Sequence, residues 1–142
     1  MKDICDFFVD GVYAATIDEA DSMNEMYERL MPNGNYKQII SSTGGYSGYR
    51  VFFSENEMRA HTVFWKQNSG FVDKNGNTLY VGDIVEDKHG YQGTVDINYD
   101  YDFRKNVKTN IRYLVRSSNL NNALTNDYAK TLVRKDKAVH YV

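Results

Sequence analysis

Apolar and polar positions alternate with a period of two along most of the chain, which predicts strands. Over residues 4–16 the alternation is loose, through Phe7, Val9, Val12 and Ala14. It is broken by the turn pair Asp10-Gly11, giving either a first hairpin or one bulged strand. Over residues 17–31 the period changes, and Ala20, Met23, Tyr27 and Leu30 fall on one helical stripe. Thr16 and Glu19 form a capping box, Asp18, Glu19 and Asp21 suit the positive end of a helix dipole, and Pro32-Asn33-Gly34 stops the segment. A helix packed on a sheet is expected there. Alternation returns over 36–53, with residues 43–48 as the loop of a hairpin. Ser54 and Glu57 make a second capping pattern, so a helical turn at 55–58 is expected, then a strand through Thr62, Val63, Phe64 and Trp65.

From residue 67 the texture changes. Turn signals at Asp73-Lys74-Asn75-Gly76-Asn77 and His89-Gly90 separate short apolar runs. Strands are expected over 91–99 and 109–117, with a loop or bulge at 100–108. A loop with room for one helical turn follows at 119–127, then terminal strands at 132–133 and 139–142. Strands spaced by about ten residues suggest a small barrel.

One stretch carries a recognisable pattern. Phe71 and Asp73-Lys74-Asn75-Gly76 precede Leu79-Tyr80, Gly82-Asp83-Ile84-Val85, Gly90-Tyr91, Gly93 and Val95. Residues 71–97 thus resemble the YopX family of phage and prophage proteins, in which such a run opens a β-rich, SH3-like barrel. The segment is also similar to KOW-type and other SH3-like barrels. The resemblance implies the barrel and a phage or mobile-element origin. The residues support the fold separately. Gly82 can take a positive φ, Asp83 can accept a local backbone N–H, and Ile84 and Val85 suit a strand. The expected fold class is α+β: a small β-α-β-β unit over 1–66, then an SH3-like, partly open β-barrel over 67–142. Neither half buries much surface alone, so one shared core is expected.

Composition narrows function mainly by exclusion. One cysteine, Cys5, excludes a disulfide framework and a multi-Cys zinc site within one chain. The first residues, with Asp3, Asp6 and Asp10, lack the basic and apolar regions of a signal peptide. No apolar run reaches membrane-spanning length, so a soluble cytoplasmic protein is expected. The net charge of −2 hides a polarity. Residues 1–65 carry five basic and ten acidic side chains, 66–103 three and seven, and 104–142 nine and two. Such a basic tail marks either an anionic partner or a complement to the protein's own acidic part.

Catalytic constellations are sparse. His61, His89 and His140 lie far apart with no metal-ligand spacing, and no cofactor is expected. Cys5 stands beside Asp6, which opposes thiolate formation, so a buried structural cysteine is the better reading than a pairing with His61 or His140. Ser47 lacks the glycine spacing of a nucleophile elbow. The glycine loop at 43–48 has no lysine and no following helix, which a phosphate loop requires. Asp100 and Asp102 sit in a solvated loop, where raised carboxylate pKa values are not expected.

Aromatic and cationic residues do interleave: Tyr91, Tyr99, Tyr101, Phe103, Arg104, Lys105, Lys108, Arg112, Tyr113 and Arg116. Tyrosine and arginine favour protein-interaction hot spots, and twelve tyrosines make such a surface available. The expectation is a non-enzymatic binding protein acting through this protein-interaction surface, for example inhibiting a host defence or nuclease complex in the manner of an anti-CRISPR protein. The alternative is a nucleic-acid-binding accessory protein that uses the basic C-terminal third for stacking and phosphate neutralisation.

Overall fold

The computed structural model describes residues 4–18, 23–31, 35–44 and 47–136. Its elements in chain order are β1 (Ile4–Val9), β2 (Val12–Ile17), α1 (Met23–Leu30), β3 (Tyr36–Gly44), β4 (Ser47–Ser54), β5 (Arg59–Val72), β6 (Thr78–Tyr80), β7 (Ile84–Glu86), β8 (Gln92–Asp102), β9 (Val107–Arg116), β10 (Asn121–Ala123), α2 (Asn126–Ala129) and β11 (Val133–Asp136). The chain divides into two compact units after Gln67.

The first unit is a sheet with strand order β2-β1-β5-β4-β3. β1 and β2 form a hairpin whose turn residues, Asp10 and Gly11, have φ of 50° and 84°. Two successive left-handed residues match the right-handed twist of the flanking strands. β4 pairs with β5 without a register shift from Ser47↔Lys66 to Ser54↔Arg59. α1 buries Met26 and Tyr27 in a cluster with Cys5, Phe7, Ile17, Val63 and Trp65. Met23 and Leu30 pack against that cluster, so part of the predicted stripe does face the core. Phe7 meets Tyr27 edge to face, with ring centroids 5.4 Å apart.

This structure overturns the α+β assignment: the fold is β-rich, with two antiparallel sheets and only two short helices among the described residues. Around α1 the order is β-β-α-β-β-β rather than β-α-β-β. The helix predicted over 17–31 is shorter at its start because residues 16 and 17 are used by the sheet. Asp6 pairs with Thr16 and Cys5 with Ile17 across the first hairpin. The Thr16 hydroxyl donates to Asp6 Oδ1 at 2.6 Å, a cross-strand bond in place of the expected helix cap. Glu19, Ala20, Asp21 and the Pro32-Asn33-Gly34 stop lie outside the described residues. The second capping pattern does form locally, since Ser54 Oγ accepts the Glu57 backbone N–H at 3.2 Å in a turn at 55–58.

In the second unit β6 pairs with the end of β5, at Asn68↔Tyr80 and Val72↔Thr78. The other strands form a five-stranded sheet of order β10-β9-β8-β7-β11. One of the chain's two sheets curls into a half-barrel, a shape compatible with an SH3-like barrel. The entry to β7 follows the local chemistry read from the sequence. Gly82 has φ of 98°, and the fully buried Asp83 accepts the Tyr80 N–H on Oδ2 at 2.8 Å. The backbones of Gly82 and Asp83 also exchange bonds with Val95, locking the turn onto β8. Of the loop or bulge expected at 100–108, the loop is only a four-residue turn, because both flanking strands run further than their apolar alternation indicates. The terminal strand expected at 139–142 lies outside the described residues.

Candidate functional site

The hairpin of β8 and β9 outreaches its neighbours. β7 pairs only with residues 92–94 of β8, and β10 only with residues 114–116 of β9. Towards the turn the hairpin continues as a two-stranded ribbon among the described residues. Its inward face begins as core: Val95 pairs with Val115 and Ile97 with Tyr113, all buried. A bulge follows between Asn98 and Asp100, opposite Asn110, whose φ is 52°. Asparagine tolerates this left-handed conformation better than most residues.

Beyond the bulge the face that was core becomes solvent-facing. Tyr99 and Tyr101 continue the same parity of β8, and Tyr101 pairs with Lys108. The Lys108 ammonium stands 5.1 Å from the centre of the Tyr99 ring, a cation–π arrangement. Tyr101 and Phe103 meet edge to face at 4.9 Å, and the Tyr101 hydroxyl donates to Asn106 Oδ1 across the turn. Phe103 is 87% exposed, and Arg104 and Lys105 follow it, also exposed. Six of the ten residues expected to form a contact surface therefore gather at one ribbon tip.

The acidic residues of the ribbon are engaged within it. Asp102 Oδ1 accepts the backbone N–H groups of Arg104 and Lys105, at 3.0 and 3.2 Å, and so shapes the turn. Asp100 accepts from Asn110 Nδ2 at 2.9 Å. Asp96 forms an ion pair with Arg116 at 2.9 Å.

The other four predicted surface residues lie elsewhere. Tyr113 is only 1% exposed and belongs to the core, so it offers no contact surface. Arg112 and Arg116 pair with Asn98 and Thr94 on the opposite face of the hairpin. Tyr91 is exposed in the turn before β8, where Asp87 Oδ1 accepts its N–H at 2.9 Å. Ten residues separate it from Tyr101, or ~33 Å of strand.

Sequence reading missed a cluster in the first unit. His61, buried on β5, has Nδ1 2.6 Å from Asp10 Oδ2 and Nε2 against Glu57 Oε2. The Glu57 contact and then the Asp10 contact raise the imidazole pKa above its ordinary 6.5, outweighing burial. Both ring nitrogens are thus occupied by carboxylates, which leaves His61 no nitrogen with which to activate Cys5. The Cys5 thiol is itself buried and donates to Gln67 Oε1 at 3.6 Å. Each member of the cluster sits in its own turn or strand, and only the i, i+4 spacing of Glu57 and His61 hinted at it. His140 lies outside the described residues. Among the described residues no group of three or more His, Cys, Asp and Glu side chains is placed to hold a metal, and no helix is long and apolar enough to cross a membrane.

No protein family, no curated protein and no solved structure matches the chain. Fold and site together define a β-rich protein with an aromatic, cationic ribbon tip.

Proposed function

We propose that this is a non-enzymatic binding protein that docks on a protein partner through the tip of the β8–β9 ribbon. The observation that carries the reading is Phe103, held 87% exposed against Tyr101. The Asp102 turn bonds and the Tyr101–Asn106 bond fix the backbone beneath it. A preorganised aromatic anchor loses little conformational freedom on binding and buries a large apolar area in a partner's pocket. Arg104 and Lys105 at its edge suit a partner whose pocket rim is acidic. The finer form of this reading, a phage-borne inhibitor of a host defence or nuclease complex built on an SH3-like barrel, draws on the YopX resemblance over residues 71–97.

The test is binding of a purified partner, first isolated on the wild-type protein, to Phe103→Ala and Arg104→Ala/Lys105→Ala. Truncating an interface anchor costs about 2 kcal/mol or more, so Phe103→Ala is expected to weaken binding at least ~30-fold. Binding unchanged in Phe103→Ala would sink the reading. The Lys108–Tyr99 contact favours a second reading, single-stranded nucleic acid stacking on the tip. A salt-dependent gel shift lost in Arg104→Ala/Lys105→Ala would replace the first reading with the second.

A further inference from the structure

A second site lies wholly within the first unit. An open cleft of about 430 Å³ is lined by Tyr27 and Met31 from α1 and its end, Tyr36 and Gln38 from β3, and Arg50 and Phe52 from β4. That volume falls among those of pockets that take small ligands. Its floor follows from strand register. Gln38 pairs with Phe52, so both side chains leave the same sheet face, and Tyr36 and Arg50 share it by the two-residue alternation. Phe52 packs against the core cluster, which fixes it from below.

Arg50 is the polar centre. Its guanidinium carbon stands 4.3 Å above the Tyr27 ring, and its Nη2 donates to Asn24 Oδ1. The Tyr27 ring is buried and held by Phe7, so the guanidinium is stacked on a rigid platform. No carboxylate among the described residues pairs with Arg50. An arginine carries five N–H donors, and stacking plus one amide bond leaves most of its fork directed elsewhere. A fixed, half-buried guanidinium fork recognises a planar or tetrahedral oxyanion by paired hydrogen bonds. Tyr36 and Phe52 supply aromatic walls, and the Gln38 amide supplies a further hydrogen-bonding group.

We propose that this cleft binds a small free aromatic oxyanion: a ring bearing a carboxylate or phosphate head. The head meets Arg50, and the ring lies among Tyr36, Phe52 and Met31. Glu28, also on the lining, repels a second negative group and so restricts the ligand to one anionic end.

The site is tested by NMR titration of the full chain with four probes: benzoate, phenyl phosphate, inorganic phosphate and phenol. Saturable shifts at Gln38, Arg50 and Phe52 are expected with benzoate or phenyl phosphate, at least ~10-fold tighter than with phosphate or phenol, since each loses one half of the recognition. Equal affinity for inorganic phosphate would overturn the aromatic half, and equal affinity for phenol would overturn the role of Arg50. Gln38→Glu places a carboxylate in the cleft at an exposed position, so it preserves the fold and is expected to weaken binding ~10-fold or more. Arg50→Lys keeps the charge but loses the fork, and unchanged affinity there refutes the paired recognition. A phosphotyrosine peptide that binds more tightly than phenyl phosphate would overturn the free-ligand source.

Discussion

The Asp73 carboxylate organises the turn between β5 and β6, and replacing it with asparagine tests whether its charge matters. Asp73 is 2% exposed. Its Oδ1 accepts the backbone N–H groups of Asn75 and Asn77, at 2.9 and 2.8 Å. Its Oδ2 accepts Asn77 Nδ2 at 3.3 Å and the backbone N–H of Arg134, on β11, at 2.9 Å. Burial pushes the carboxyl pKa up, but the bonds from Arg134 and from Asn77 and Asn75 outweigh it, and the pKa is held below its ordinary 3.8. An asparagine at 73 has the same shape but must turn its NH2 toward one pair of donors. Facing Asn75 and Asn77 it forfeits two backbone bonds. Facing Arg134 it forfeits the strand bond, while the Asn77 amide can flip to accept. The cheaper orientation still loses one bond to a charged acceptor, about 1.5–3 kcal/mol, and leaves a donor unmet at about 1 kcal/mol or more. Asp73→Asn is therefore expected to destabilise the protein by ~2.5–4 kcal/mol in urea denaturation at pH 7, a large share of a typical domain's stability.

The pH dependence supplies the sharper check. A carboxylate whose folded pKa is depressed contributes stability above its unfolded value, and that contribution disappears as pH falls through the folded value. The Asp73→Asn deficit is thus fully present at neutral pH and shrinks as pH drops below 3.8. A deficit under about 0.5 kcal/mol at pH 7, no larger than an ordinary surface substitution, or one that does not shrink in acid, refutes the account.

Three further outcomes follow from other positions. His61 is stabilised as a cation, so its contribution is present below its unfolded value of 6.5 and lost as pH rises through the raised folded value. Glu57 and Asp10 are both depressed, Glu57 chiefly by the His61 bond and Asp10 by the His61 and Thr62 bonds working against burial, so their share is lost as pH falls. Melting scans should place the wild type's advantage over His61→Gln at about pH 5–6 and show it declining on both sides; a flat difference would count against the cluster. Gly93→Ala puts a Cβ 2.6 Å from Val115 Cγ1, on a fully buried valine, and is expected to cost ~1–3 kcal/mol by chemical denaturation. Asn110→Val, at a φ of 52°, should destabilise the ribbon and speed its amide exchange, whereas Asn110→Gly, which loses the same bond to Asp100 but not the backbone fit, should cost clearly less.

What was legible in the sequence was mostly local. Asp10-Gly11, Gly82-Asp83 and the Ser54–Glu57 turn are set by backbone preferences and short-range bonds, and each appears where the residues indicate. The start of the helix was not legible, because Thr16 and Ile17 are claimed by partners ten or more residues away. Nor was the difference between Tyr101 and Tyr113. Both lie on the same face of one hairpin, yet one is exposed and the other buried. What separates them is position along the hairpin: Tyr113 lies next to the stretch that β10 pairs, residues 114–116, whereas Tyr101 lies beyond the bulge, towards the turn. Alternation gives the face of a strand but not the extent of its neighbours. The Arg50 cleft was hidden for a related reason, since it needs a helix stacked on a register that links Gln38 with Phe52.

The charge polarity of the chain reads differently once the bonds are known. The +7 of residues 104–142 suggests an avid anion binder, but only three cations of that tail, Arg104, Lys105 and Lys108, reach the ribbon tip. Asp100 and Asp102 stand beside them; their oxygens are used to build the turn and bond Asn110, but their charges remain. The tip thus carries three cations against two anions, a modest field that favours a mixed protein surface over a polyphosphate backbone. Salt separates the two. Neutralising three phosphates on a single strand gives a slope of log K against log salt of ~−2. A protein partner gripped mainly by Phe103 and Tyr101 should give a slope no steeper than ~−1, because apolar burial is not screened. A slope near −2 for the isolated partner, carried by Arg104, Lys105 and Lys108 rather than by Phe103, would mean that the cations do the binding and that the aromatic anchor was misread.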